Sequence, residues 1–148
     1  MGTFSNRIII VPTDLSDFSI SAIRVATELA SNRSFVRVIH VMPIIEPLQA
    51  EGAWVTMDET ARYEQTKANL QEFLSQNQFG DLEHEIFIGN AGNEIANYAS
   101  EQNAGLIVIP SHGRGMLQRL LLGSTTDRVV HLAHCPILVL RPDRPTGE

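Results

Sequence analysis

The sequence lacks the features that mark secreted, disulfide-linked and membrane-spanning proteins. It has one cysteine, Cys135, so no intramolecular disulfide is possible. No apolar run approaches the roughly 20 residues that a membrane-spanning helix needs. The start, MGTFSNRIII, has neither the cationic flank nor the apolar stretch of a signal peptide. These absences predict a cytoplasmic protein with no membrane partner.

Positive charge is also scarce, because 11 Lys and Arg residues stand against 17 Asp and Glu, for a net charge of −6. A surface of this sign does not favour the phosphate backbone of a nucleic acid, so no nucleic-acid partner is expected, although a local basic patch is allowed. The length of 148 residues suits one hydrophobic core. We therefore expect a single domain over residues 1–148, with a frayed tail at Pro142–Glu148.

Five short apolar runs alternate with segments of helical spacing. Most of the runs lack polar alternation, which is typical of strands buried on both faces of a parallel sheet. This order predicts an α/β fold: a five-stranded, parallel, doubly wound sheet with strand order 3-2-1-4-5 and helices on both faces. A long loop is expected at Met42–Val55, which has two prolines and a glycine. The predicted strands are Ile8–Val11, Phe35–Val41, His84–Ile88, Leu106–Ile109 and Ile137–Leu140.

In such a sheet, ligands bind beyond the carboxyl ends of the strands at the point where the strand order reverses. Here that point lies between strands one and four. Strand one ends in Pro12-Thr13-Asp14 and strand four in Pro110-Ser111-His112-Gly113. Small and polar residues on both edges of this crevice indicate a binding site.

The segment that follows strand four has the composition of a phosphate-binding site. Gly113 and Gly115 allow a ligand to approach the backbone closely. Gly123-Ser124-Thr125 opens the last predicted helix, whose first N–H groups and dipole attract anions. Arg114 and Arg119 supply local positive charge. We therefore expect phosphates to bind at His112–Thr125.

Some of these residues also have purely structural interpretations. Ser124 and Asp127 match a helix capping box, so Ser124 caps the helix instead of, or in addition to, contacting a phosphate. Asp14 follows a buried strand and precedes a helix, where aspartate often caps the helix or turns the chain, and from the residues alone capping is the favoured role. His131 and His134 share a helix face, but no complete ligand set is evident, and no metal bound by the protein itself is expected.

At these residues the chain resembles the universal stress protein family. Nucleotide-binding members of that family carry Gly-x-x-Gly, nine residues and then Gly-Ser or Gly-Thr after the fourth strand. Gly113, nine intervening residues and Gly123-Ser124 match the latter part, whereas Pro110 stands where the first glycine belongs. The resemblance extends to IIIVPTDLSDFSISAIRVATELA, VIHVMP, IGNAGNEI and HCPILVLR, nearly the whole chain.

The resemblance implies a stress-response or signalling regulator that binds ATP or AMP, with Mg²⁺ or Mn²⁺ held through the phosphates. It also implies a homodimer formed through Ile137–Leu140, an apolar strand at the sheet edge, and an unidentified protein partner. Together with the crevice argument, it indicates these nucleotide-binding residues: Pro12, Thr13, Asp14, Val41, Ser111, His112, Gly113, Arg114, Gly115, Met116, Gly123, Ser124, Thr125 and Thr126.

Dedicated catalysis is not expected, because the sequence has no P-loop and no nucleophile elbow. Two alternatives remain open. One is a slow ATPase. The other is a partner-binding dimer that has lost nucleotide binding, with Pro110 as the mark of that loss.

Overall fold

A computed structural model describes residues 4–45, 59–111 and 122–141. The elements in chain order are β1 (Ile9–Pro12), α1 (Phe18–Leu29), β2 (Val36–Met42), α2 (Glu59–Gln76), β3 (Glu83–Ile88), α3 (Ala91–Glu101), β4 (Leu106–Pro110), α4 (Ser124–Leu132) and β5 (Ile137–Leu140). Each strand end lies within one residue of its predicted position. Within the described ranges, no helix is long and apolar enough to cross a membrane.

The five strands form one parallel sheet in the order β3-β2-β1-β4-β5. The predicted α/β fold and strand order are therefore confirmed. β1 lies at the centre, and the chain crosses to one side of it through β2 and β3 and to the other through β4 and β5. The strand order reverses between β1 and β4, as the sequence predicted.

The sheet is covered on both faces, which explains why the strand sequences show little polar alternation. Successive residues of β1 and β4 enter opposite cores. One core joins the sheet to α1 and α2 through Ile9, Val11, Ala22, Ile23, Ala26, Leu70, Leu74, Leu106 and Val108. The other joins it to α3 and α4 through Ile10, Ile39, Ile95, Tyr98, Ala99, Ile107, Ile109 and Val129.

Close packing of α3 against α4 positions the start of α4. A Cβ atom built on Gly92 would lie 2.7 Å from the Cβ of Arg128, so only glycine allows the two helices to approach this closely. The Nε of Arg128 also donates to the side-chain oxygen of Asn93 at 2.8 Å.

Part of the predicted loop belongs to regular structure, because Met42 is the last residue of β2. Pro43, Ile44 and Ile45 follow it without regular structure, and Ile44 is 67% exposed. The rest of the predicted loop, residues 46–55, and the tail Pro142–Glu148 lie outside the described residues.

Candidate functional site

The crevice opens where pairing between β1 and β4 stops. These two strands pair only at Ile9 with Leu106 and Ile10 with Ile107. On the outer sides the ladders run further, because β1 pairs with β2 as far as Pro12 and β4 pairs with β5 as far as Pro110. The two central strands therefore separate at their carboxyl ends while each stays attached to its outer neighbour.

Two prolines explain why the central ladder ends. Backbone groups along a parallel strand point alternately to its two neighbours. Thr13 donates to Ile39 of β2 at 2.8 Å, and Ser111 donates to Leu140 of β5 at 2.8 Å. Pro12 and Pro110 therefore face each other's strands, where the next two hydrogen bonds would need their N–H groups. Proline has no N–H, so neither bond can form.

A cavity of about 390 Å³ occupies this opening. Its walls combine apolar side chains, which suit a flat ring, with polar groups at the start of α4 and the end of β1. Its lining residues are Pro12, Thr13, Asp14, Ser19, Ile39, His40, Val41, Ala91, Ile95, Ile109, Pro110, Gly123, Ser124, Thr125 and Thr126.

Buried hydroxyl groups hold the loop between β1 and α1. The hydroxyl of Ser19 donates to the carbonyl of Ser16 at 2.7 Å and therefore accepts from the Thr13 hydroxyl, 2.6 Å away. Thr13 Oγ1 in turn accepts the N–H of Leu15 at 3.0 Å. Leu15 has a φ of +66°, a left-handed conformation that leucine adopts only when its surroundings enforce it. The loop is thus tightly specified beside the cavity.

Asp14 turns this loop and also lines the cavity. Its Oδ1 accepts the Ser16 N–H at 3.0 Å and contacts the Ser16 hydroxyl. This Asx turn matches the structural role that the sequence left open for Asp14. The helix-capping alternative is wrong, since α1 starts at Phe18 with Asp17 as its N-cap. The carboxylate is exposed at the cavity mouth.

The start of α4 is fixed to the end of β4. Thr126 Oγ1 donates to the Pro110 carbonyl at 2.8 Å. The N–H of Gly123 donates to the Ser111 carbonyl at 2.8 Å, which joins the same two elements a second time. The cavity-lining residues Ser124 and Thr125 occupy the first turn, whose N–H groups have no acceptors within the helix. The helix therefore presents donors and the positive end of its dipole to the cavity.

The predicted capping box is wrong. The N-cap of α4 is Gly123, which has no side chain to cap with, and the Asp127 N–H donates to its carbonyl at 2.9 Å. Ser124 is the first residue inside the helix, so its hydroxyl does not have the capping role. Asp127 does not line the cavity, and its carboxylate lies 3.8 Å from the ring of His131.

The structure brings together most of the predicted site residues that it describes. The lining includes Pro12, Thr13, Asp14, Val41, Gly123, Ser124, Thr125 and Thr126. Ser111 is buried behind them and connects β4 to β5 and α4. His112, Gly113, Arg114, Gly115 and Met116 lie outside the described residues, as does Arg119.

Sequence reasoning missed several lining residues. Ala91 and Ile95 come from the start of α3, and their apolar spacing indicates only a buried helix face. His40 lies one residue before Val41, in a strand whose pattern predicts burial. Ligands of such sheets bind beyond the carboxyl ends of the strands, so the end of β2 is an expected part of the site. Which of its side chains faces the cavity depends on the register of the strand.

The described residues contain no cluster of three or more His, Cys, Asp or Glu side chains that could hold a metal ion. Burial raises the pKa of the half-buried Cys135 thiol, which favours the neutral form over the metal-binding thiolate.

Comparison with known proteins identifies the family. A model of the universal stress protein family matches residues 5–141. The chain belongs to the universal stress protein family. The chain is 36% identical over 138 residues to universal stress protein MJ0531 of Methanocaldococcus jannaschii, covering 90% of this chain and 81% of that protein. It is 31% identical over 121 residues to universal stress protein A homolog 2 of Coxiella burnetii, covering 78% of this chain and 81% of that one.

Solved structures share the fold at lower identity. Hypothetical protein MJ0577 of Methanocaldococcus jannaschii superposes with a TM-score of 0.74 at 22% identity, covering 94% of this chain and 99% of the other. A universal stress protein solved in complex with cAMP gives a TM-score of 0.60 at 20% identity, covering 90% of this chain and 95% of the other. At these identities the likeness concerns the fold alone.

Removing the hydrogen bond between Thr126 and Pro110 should loosen the start of α4. Thr126→Val keeps the shape but leaves the Pro110 carbonyl without this donor, so the free energy of unfolding should fall by about 1–3 kcal/mol. Thr27→Val is the matched control, because Thr27 donates to a helix carbonyl at an exposed position. Urea unfolding measures both variants. Equal losses in the two variants would contradict a special role for the buried bond.

Proposed function

We propose that this universal stress protein binds an adenine nucleotide, ATP or AMP, and acts as a stress-response or signalling regulator in the cytoplasm. The observation that carries the proposal is the cavity between β1 and β4, which joins an apolar floor to the start of α4 at the switch point of the sheet. Such a cavity has one end suited to a base and one end suited to phosphates.

The phosphate end is the first turn of α4. Its N–H groups point outward with the positive end of the helix dipole, and the hydroxyls of Ser124 and Thr125 add donors beside them. Neutral donors of this kind explain how an acidic chain can hold an anion. The predicted contacts from His112–Met116 belong to the same proposal, and they would supply the positive charge of Arg114.

The nucleoside end is the apolar part of the cavity. Ile39, Ile95 and Ile109 are buried side chains that line it, and Val41 lies at its edge. Exposed Asp14 offers a carboxylate to hydroxyl or amino groups at the mouth. The solved universal stress protein in complex with cAMP supports an adenine nucleotide as the ligand class. The proposal includes Mg²⁺ or Mn²⁺ bound through the phosphates of the nucleotide, as the resemblance to the family implies.

A side chain at Gly123 should block the phosphate end. The backbone there has φ −60° and ψ 158°, which valine adopts readily, so Gly123→Val should fold. Gly123 lines the cavity, so an isopropyl group there would crowd the start of α4, and the ATP affinity should fall by about tenfold or more, which corresponds to about 1.4 kcal/mol. Leu122→Val is the control, because Leu122 is 39% exposed and outside the cavity lining.

Isothermal titration with ATP and Mg²⁺ measures this affinity, and thermal melting checks the fold. Unchanged affinity in folded Gly123→Val would place the phosphates elsewhere. The wild-type titration also distinguishes the alternatives. Absence of binding would favour a nucleotide-independent dimer, and sustained phosphate release would favour a slow ATPase.

Pro110 should affect stability more than affinity. An N–H at position 110 would point across the opening toward β1, in line with the next rung of that ladder, whereas the proposed phosphate donors are the N–H groups of α4, so Pro110→Gly should leave the ATP affinity within about twofold of wild type. The free energy of unfolding should fall by about 0.4–1 kcal/mol, because glycine gives the unfolded chain more freedom. Titration and urea unfolding test the two parts. A tenfold gain in affinity would show that the proline had removed an amide that contacts the ligand.

We also propose that two copies pair along β5. This strand is the sheet edge beside β4, and its apolar residues Ile137–Leu140 remain partly exposed in the single chain. Its outward N–H groups belong to Ile137 and Val139, because Leu138 and Leu140 alternate toward β4. Among the described strands none pairs with the outer side of β5, and an apolar edge of this kind favours association.

Proline at an outward position should separate the copies. Val139→Pro removes an N–H that points away from β4, so the fold should survive while the dimer dissociates. Leu138→Pro instead removes a hydrogen bond inside the sheet and should lower the melting temperature. Sedimentation velocity and thermal melting measure the two effects. A folded Val139→Pro protein with an unchanged sedimentation coefficient would contradict pairing through β5.

A further inference from the structure

His40 connects β2 to the loop that follows β1. It lies near the carboxyl end of β2, is half-buried and lines the cavity. Its ring atom Nδ1 lies 2.7 Å from the carbonyl oxygen of Thr13. The Thr13 N–H donates to the Ile39 carbonyl at 2.8 Å, so β2 holds both backbone groups of Thr13.

The partner of His40 determines where its proton sits. A carbonyl oxygen can only accept a hydrogen bond, so Nδ1 must carry the hydrogen. This holds for the neutral ring and for the imidazolium ion. The neutral ring therefore has its lone pair on Nε2. The interaction with Thr13 needs a donor at one ring position and makes no demand on the charge of the ring.

The loop depends on being held at this point. Immediately after Thr13 the chain places Asp14 at the cavity mouth and then takes the left-handed conformation at Leu15. Hydrogen bonds within residues 13–19 join the parts of the loop to one another. The two contacts from β2 to Thr13 tie this network to the sheet beside the cavity, and Leu15 packs against the core on the α1 side.

We propose that His40 is a positioning residue of the binding site, acting through its Nδ1–H bond to Thr13. It holds the Thr13–Ser16 loop in the conformation that presents Asp14 to the nucleoside. This inference rests on the proposed nucleotide binding for its effect on affinity. Its effect on the loop does not depend on a ligand.

Two substitutions at position 40 distinguish the effect of the hydrogen bond to Thr13 from the effect of the ring's volume. Asparagine can place its amide nitrogen near the position of Nδ1, whereas phenylalanine keeps a ring but donates nothing. His84→Phe is the control, since His84 on β3 also points Nδ1 at a carbonyl, that of Leu82 at 3.0 Å, but does not line the cavity. All three variants are titrated with ATP and Mg²⁺.

We expect His40→Phe to lose about tenfold in ATP affinity, His40→Asn to stay within about threefold of wild type, and His84→Phe to match wild type. Wild-type affinity in His40→Phe would overturn the inference. An equal loss in both position-40 variants would overturn it too, because the donor would then not be the cause.

A second measurement needs no nucleotide. Nitrogen-15 NMR of the wild type should show His40 protonated at Nδ1, and amide exchange at Leu15 and Ser16 should be faster in His40→Phe than in His40→Asn. An Nε2-protonated neutral ring, or equal exchange in the two variants, would overturn the inference. If the wild type shows these signatures but binds no ATP, the proposed function fails while the positioning role stands.

Discussion

The site depends on two hydrogen bonds that the central strands cannot make. Had β1 and β4 paired as far as their outer neighbours do, the sheet would be closed at its carboxyl edge and the cavity would have no room. Pro12 and Pro110 prevent this because each lacks the N–H that the next rung needs. The outer ladders continue and keep both strand ends ordered. The opening is therefore a stable part of the fold and does not require a ligand to separate the strands.

The walls of this opening are held from behind by buried polar contacts. On one side, Thr13 and Ser19 form a chain of hydroxyl bonds beneath the loop that carries Asp14. On the other, Thr126 binds the carbonyl of Pro110 and fixes the first turn of α4. In the described residues, no buried side-chain nitrogen or oxygen lacks a hydrogen-bond partner. A site whose supporting groups are already satisfied needs little reordering when a ligand binds, which favours affinity.

The same geometry changes the meaning of the proline in the glycine motif. In the sequence, Pro110 replaces the first glycine of the family's nucleotide-binding motif, so a flexible residue is missing there. In the fold, its missing N–H faces β1, and its carbonyl accepts the bond from Thr126. Its cyclic side chain fixes the backbone at the point where the strand must leave the ladder. Proline at position 110 is thus compatible with an intact site. The neutral N–H donors at the start of α4 remain available to an anion, although the chain as a whole is acidic.

The sequence by itself determined the fold, because strands buried on both faces need continuous apolar runs and parallel strands need helical connections between them. It also located the crevice, since the switch point follows from the strand order. Tertiary structure alone decided which side chains meet there. The Ser124-x-x-Asp127 pattern matches a capping box, yet the N-cap is Gly123, because α4 begins one residue earlier than that pattern requires. His40 and Ile95 reach the cavity only through strand register and the packing of α3, which bring together residues far apart in the chain and leave no local pattern.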